Sequence, residues 1–186
     1  MSPSTAALLP IHRVDVLGGH LDALAEHIAA SNAESGREGA PHFALTRTTV
    51  ADELRGHLAA RLARGLDEPL WGRVWALFAP AGERVVGNVE LRGGRVAAEM
   101  HRATLGMGIQ RAYTGQGHGR RLIEAAVTWA RDVAKLSWID LGVFAGNEPA
   151  RKLYRRMGFV EIGEREDAFR IDAGVAVKDV MMTLKL

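Results

Sequence analysis

The chain has 186 residues and carries 24 Lys and Arg against 22 Asp and Glu, a formal net charge of +2; this length predicts one domain over residues 1–186, and 47% apolar with 25% charged residues excludes disorder, collagen-like repeats and coiled coil. So small a net charge gives no general attraction to nucleic acid or anionic lipid, and the absence of cysteine removes disulfides, thiol nucleophiles and zinc-thiolate sites. The histidines never fall in the close pairs of metal motifs, no stretch approaches the roughly 18 apolar residues of a membrane span, and Met1 to Pro10 holds no basic leader, so a cytoplasmic protein without metal is expected.

Leu21, Leu24, Ala25 and Ile28 recur at helical spacing, and Val50, Leu54, Leu58 and Leu62 do so again behind the candidate caps Thr48 and Thr49. Two amphipathic helices are therefore expected, joined by a polar loop from Ser31 to Pro41 beside a site. From Arg73 the pattern shortens to β-rich runs, Arg73 to Ala79 and Arg84 to Leu91, separated by Pro80-Ala81-Gly82 and followed by Gly93-Gly94, which reads as antiparallel hairpins. The run His101 to Ile109 alternates Ala103, Leu105, Met107 and Ile109 with Thr104, Gly106 and Gly108, so one strand face is apolar and the other bare. Glycines in a strand are tolerated best where a ligand or another backbone lies close. Trp138 to Phe144 is a further strand. Ala150, Leu153, Tyr154 and Met157 mark a short helix ended by Gly158, and from Asp179 to Leu186 the chain closes on alternating apolar and polar residues. This order predicts a mixed α/β or α+β sheet.

Between the strand at His101 to Ile109 and a helix lined by Leu122, Ala126, Trp129, Ala130 and Val133 stands Tyr113-Thr114-Gly115-Gln116-Gly117-His118-Gly119. Three alternate glycines at a helix start let several N–H groups converge where the helix dipole adds about half a positive charge, a place that binds phosphate. Arg120 and Arg121 follow and add charge to the same spot. No Lys occurs in the loop, which excludes a Walker motif. The third glycine comes one residue too early for a Rossmann fingerprint, and Asp140, about 20 residues on, sits inside its strand and not at the end where a ribose-binding acid belongs.

The loop instead resembles the Q/R-x-x-G-x-G/A motif of the GNAT N-acetyltransferase superfamily, with Gly117 and Gly119 in the two small-residue positions and Thr114 where Arg or Gln is usual. Downstream, the segment from Asn147-Glu148-Pro149-Ala150 through Leu153-Tyr154 to Gly158-Phe159 is similar to the family's N-x-x-A-x-x-L-Y-x-x-x-G-F segment, and the resemblance extends over about Arg84 to Leu186.

The resemblance implies a GNAT fold: a mixed, mostly antiparallel sheet with helices on both faces and one splayed parallel strand pair, His101 to Ile109 beside Trp138 to Phe144. It implies acetyl-CoA as cosubstrate, held by Gly115, Gln116, Gly117, His118, Gly119 and Arg120, by the backbone of Met107, Gly108 and Ile109, and by Asn147. It places at Tyr154 the hydroxyl that protonates the departing sulfur, and near Met107 to Ile109 a backbone N–H for the oxyanion. Where some branches carry a glutamate this chain has Gly142. The base is then Glu90 acting through water, with Glu99, His101 or no dedicated base as alternatives. The implied acceptor is a primary amine, on a small molecule or a peptide, recognised by the N-terminal helices, the Ser31 to Pro41 loop and the segment Glu164 to Gly174, where Glu166, Asp167 and Asp172 form an acidic cluster. Without cysteine an acetyl-enzyme thioester is impossible, so the amine attacks directly in a ternary complex. A non-catalytic acyl-CoA sensor is the competing reading. A homodimer, with the final strand pairing or swapping across it, is a further option of the family, and neither nucleic acid nor membrane is expected as a partner.

Overall fold

The computed structural model describes residues 9–14, 19–34, 51–80, 82–171 and 175–186. In chain order the elements are β1 (Ile11–Val14), α1 (Leu21–Glu34), α2 (Ala51–Leu62), β2 (Gly72–Phe78), β3 (Val85–Gly93), β4 (Arg102–Ile109), α3 (His118–Asp132), β5 (Trp138–Phe144), α4 (Glu148–Arg156), β6 (Val160–Ile171) and β7 (Val175–Lys185). The strands form one sheet in the order β1-β2-β3-β4-β5-β7-β6. Every neighbouring pair is antiparallel except β4 with β5.

Strand alternation sorts the side chains into two cores. On one face Val89, Leu91, Ala103, Leu105, Ile139, Leu141 and Val143 meet Leu122, Ile123, Ala126 and Ala130 of α3. On the other, Leu24 and Ala25 of α1 and Leu54 and Leu58 of α2 cover Val74, Ala76, Phe78 and Val85. The helices therefore lie on both faces, and α1 and α2 cover the β2–β3 half of theirs.

Four expectations are corrected or extended. β1 was not foreseen, because four residues of IHRV are too few to show a period. Helix α1 runs on to Glu34, so Ser31 and Asn32 are buried on a helix and not in a loop; the rest of that loop, with Thr48, Thr49 and Val50, lies outside the described residues. The segment from Glu164, to which the sequence assigns no element, is part of edge strand β6. Its acidic residues are engaged there, since Lys178 binds Glu164 and Glu166 while Arg170 binds Asp167; Asp172 falls outside the described residues. Finally, β7 has partners on both sides, so it offers no free edge for pairing across a dimer.

The parallel pair is pinned at one end. Arg102 grips Asp140 through two bonds, Nε to Oδ2 at 2.8 Å and Nη2 to Oδ1 at 2.6 Å, and the Thr183 hydroxyl donates to Oδ1 at 2.6 Å. Burial alone would raise the Asp140 pKa, but the bonds from Arg102 and Thr183 bring it below the usual carboxylate value. A depressed folded-state pKa contributes stability above the unfolded value that is lost as pH falls through the folded one. Asp140→Asn is accordingly expected to lower the melting temperature at neutral pH, with the deficit against wild type closing as the pH is taken down into the carboxylate range.

Candidate active site

β4 and β5 pair only through Arg102 with Trp138, Ala103 with Ile139 and Thr104 with Asp140. Beyond that point β4 continues from Leu105 to Ile109 bonded to β3 alone, and β5 continues from Leu141 to Phe144 bonded to β7 alone. Two strand edges therefore face each other across a gap with backbone groups unpaired. Such groups demand partners. Met107, Gly108 and Ile109 all stand on the open edge. Glu99 and His101 lie at the opposite, closed end, where the Ser137 N–H donates to the His101 carbonyl at 2.9 Å and Glu99 accepts from the Arg95 N–H.

Helix α3 begins beside this gap. Gly115 and Gly117 adopt positive φ of 73° and 80°, and Gly117, the residue preceding the helix, supplies no side-chain cap. The first N–H groups of α3 thus have no side-chain cap, an arrangement that suits an anion. The loop is braced from within: Gln116 Nε2 donates to the Ala112 carbonyl at 3.0 Å and the Thr114 hydroxyl to the Arg111 carbonyl at 2.8 Å. A Cβ on Gly119 would stand 2.8 Å from Leu153 Cδ2, so only glycine lets α3 come this close to α4. Neither arginine is devoted to the loop, since Arg120 Nε pairs with Glu124 at 2.7 Å and Arg121 Nη1 donates to the Leu9 carbonyl at 2.8 Å. His118 is buried with both ring nitrogens unpartnered, and burial, aided by Arg121, lowers its pKa.

Helix α4 starts on the other side of the gap. Asn147 caps it, accepting the Ala150 N–H at 3.3 Å. About two turns on, Tyr154 is 6% exposed and packs edge-on against Phe159 at 5.8 Å. Burial alone pushes its pKa to about 12, so the phenol keeps its proton at any physiological pH.

On the α1/α2 face the floor of the gap is bare. Alternation puts Gly106, Gly108 and Gly142 there, together with Asn88 and Glu90 of β3. Glu90 opposes Gly106 in the β3–β4 register, and its carboxylate is shared between Arg92 at 3.1 Å and Arg61 of α2 at 3.7 Å. His27 of α1 is buried beside Asn88 and the Gly108 backbone; its pKa falls to about 4, chiefly through burial, and it is therefore neutral. Its Nδ1 lies 3.4 Å from Gln110 Nε2, while its Nε2, Ser31 Oγ and Asn32 Nδ2 have no hydrogen-bond partner.

The sequence model of the Acetyltransferase (GNAT) family matches residues 46–159, more than half of the chain. The chain belongs to the GNAT acetyltransferase family. Similar solved structures include yncA from Salmonella typhimurium with its cofactor acetyl-CoA, 17% identical with a TM-score of 0.78 over 96% of this chain and 94% of that one. Ribosomal-protein-alanine N-acetyltransferase from Brucella melitensis is 21% identical with a TM-score of 0.77, over 96% and 100%. Spermidine N-acetyltransferase from Vibrio cholerae, in complex with CoA and spermine, is 21% identical with a TM-score of 0.74, over 94% and 95%. At these identities the likeness is one of fold, and the GNAT architecture read from the sequence, with its single parallel pair, is the one observed. As a GNAT protein it is an acetyl-CoA-dependent acetyltransferase.

In GNAT terms the structure sets the start of α3 beside Met107, Ile109 and Leu153, with the Asn147 cap of α4 following β5, Tyr154 buried on α4 against Phe159, and Glu90 on the opposite face beside Arg61 and Arg92. Sequence reading did not single out His27, Asn88 or Asp179. His27 sits at a helical core position and carries no motif. Asp179 begins the final alternating run but has no local signal either, because its relation to Gly142 depends on the β5–β7 register.

Proposed function

We propose that the protein transfers the acetyl group of acetyl-CoA to a primary amine, on a small molecule or a peptide, by direct attack in a ternary complex within a single domain in the cytoplasm. One observation carries this reading: among the described strands β4 and β5 form the one parallel junction, the open edge of β4 and the uncapped start of α3 meet beside it, and α4, which carries the buried phenol of Tyr154, packs there through Leu153.

The N–H groups of His118, Gly119 and Arg120 at the start of α3 hold phosphate, and the backbone of Met107, Gly108 and Ile109 pairs with amide groups of the cosubstrate arm as a strand would. Gly115 and Gly117 shape the loop, the Gln116 side chain braces it, and Asn147, with Oδ1 engaged as the cap, offers its Nδ2. Bound acetyl-CoA supplies the activated acetyl carbon. Tyr154 gives its proton to the sulfur as the C–S bond breaks; a desolvated thiolate is a stronger base than a solvated one, which favours this transfer at a buried site. Glu90, the base expected from sequence, has its Oε1 between the guanidiniums of Arg61 and Arg92, and we assign it to the wall of the acceptor side. The unpartnered polar atoms of His27, Ser31 and Asn32 make the buried face of α1 a neutral hydrogen-bonding surface toward the acceptor.

Acetyl-CoA at a hundredfold excess over its Kd is expected to raise the melting temperature by roughly 5–10 °C, while NADH and ATP leave it unchanged. No shift with acetyl-CoA removes the cosubstrate assignment. Free-thiol release is then followed with polyamines, amino acids, aminoglycosides and N-terminal peptides as acceptors. Acceleration by one class identifies the acceptor, and binding without acceleration by any amine marks the sensor reading as the correct one.

A further inference from the structure

Acetyl transfer to an amine requires a group to take the proton that the acceptor ammonium must shed, and at position 142, where β5 borders the gap, the chain offers only glycine. The space above Gly142 is nevertheless filled. Asp179 of β7 opposes Phe144 and is the diagonal neighbour of Gly142, on the same face of the sheet. Its carboxylate leans over the glycine: a Cβ on Gly142 would stand 2.8 Å from Oδ2 and 3.0 Å from Oδ1. Both oxygens thus occupy the place where a side chain of residue 142 would begin. Gly142 itself is exposed, so the carboxylate borders open space on the α1/α2 side of the gap, opposite Gly106 and Gly108.

We propose that Asp179, delivered from β7, is the general base of the transfer, its carboxylate standing over β5 in the space that the side chain missing from residue 142 leaves free. This rests on the acetyl-transfer reading above. Asp179 takes one proton from the acceptor ammonium, and the freed nitrogen lone pair forms the N–C bond to the acetyl carbon while the C–S bond breaks. Tyr154 protonates the sulfur, the second amine proton restores the phenol, and Asp179 releases its proton to solvent. The sum is ammonium plus thioester to amide, thiol and one proton.

The surroundings of Asp179 suit a base and not a structural ion pair. Its residue is 7% exposed. Arg165 of β6 is its one ion-pair partner among the described residues, at 4.0 Å and itself largely exposed. β5 presents uncharged Gly142 and Phe144, and adjacent Lys178 is held by Glu164 and Glu166. Burial raises the Asp179 pKa, and Arg165 only partly offsets it. A carboxylate pushed upward is a better proton acceptor near neutrality and costs the fold stability when ionised.

The test uses the most active amine of the acceptor panel. Asp179→Asn is expected to lower kcat/KM about a hundredfold at neutral pH, with the deficit narrowing as pH rises and the acceptor arrives already deprotonated. The acetyl-CoA thermal shift should be retained. A folded-state pKa above the unfolded one means that stability is lost as pH rises through it, so Asp179→Asn, which mimics the neutral form, should melt at or above the wild-type temperature at neutral pH. Gly142→Ala keeps the charge but pushes the carboxylate off β5, and should cost at least about tenfold in kcat/KM. An unchanged rate and pH profile in Asp179→Asn overturns the proposal. So does an equal loss at every pH accompanied by a lower melting temperature, which is the mark of a structural role. If wild type binds acetyl-CoA but no amine accelerates thiol release, the acetyl-transfer reading fails and the base with it. If wild type transfers and Asp179→Asn transfers equally well, only the base role fails.

Discussion

Tyr154→Phe is expected to lower turnover about a hundredfold, the scale on which a positioned general acid acts, while the acetyl-CoA thermal shift stays close to wild type. The change removes a single hydroxyl from a ring that is 6% exposed and held edge-on against Phe159. Phenylalanine fills the same space, so the α3–α4 side of the gap keeps its shape. No neighbouring charge or hydrogen bond enters the rise of the phenol pKa to about 12, which burial alone produces. Two consequences follow for the measurement. The wild-type rate should show no alkaline loss from Tyr154 below that value, and the variant should be defective by a constant factor across the neutral range. This differs from the pH-dependent deficit expected of Asp179→Asn, so the two proton-transfer roles separate in one set of profiles. Turnover equal to wild type in Tyr154→Phe would take the phenol out of the mechanism.

What could be read from the sequence was what local pattern encodes. β5 runs from Trp138 to Phe144 as its apolar spelling indicates, β4 keeps the alternation that bares Gly106 and Gly108, and α3 opens at His118 between the second and third of the loop's glycines. The short helix from Glu148 is announced by its cap, Asn147, and by the spacing of Ala150, Leu153 and Tyr154. The features that escaped are those set by partners distant in the chain. Nothing near Glu90 announces Arg61, which arrives from α2. Nothing near Arg121 announces the Leu9 carbonyl, so its charge read as a phosphate contact when it ties the N-terminal segment to α3. The acidic run from Glu164 shows no strand alternation of its own, yet pairing with β7 makes it a strand, interrupted by a register shift between Arg165 and Phe169. Asp179 and Gly142 compose the sharpest case. Each is unremarkable alone, and only the antiparallel register of β5 on β7 sets the acid of one over the bare backbone of the other.

Gly117→Val is expected to abolish the acetyl-CoA thermal shift and to lower the melting temperature of the free protein by several degrees. Gly117 holds φ 80° and ψ −2° at the residue preceding α3. The left-handed region costs a residue with a Cβ about 1–2 kcal/mol, and a β-branched residue stands at the unfavourable end. For a domain of this size that is roughly 2–8 °C. If valine instead relaxes to negative φ, the following N–H groups turn away from their common focus and the anion site is lost. Among the described residues other than its chain neighbours, nothing lies within 4 Å of a Cβ at this position, so backbone conformation, and not packing, is the expected cause. Gly117→Asn separates conformation from space, because asparagine tolerates the left-handed region better than other side chains. Retained binding in Gly117→Asn assigns the glycine to backbone conformation; lost binding with a stable fold assigns it to room for the phosphate. Gly119 carries a different constraint, since its φ is not positive and its Cβ would meet Leu153 at 2.8 Å. Gly119→Ala paired with Leu153→Ala should therefore recover the acetyl-CoA shift that Gly119→Ala alone loses, whereas no change at Leu153 should rescue Gly117→Val. An undiminished acetyl-CoA shift in Gly117→Val would detach the loop from cosubstrate binding altogether.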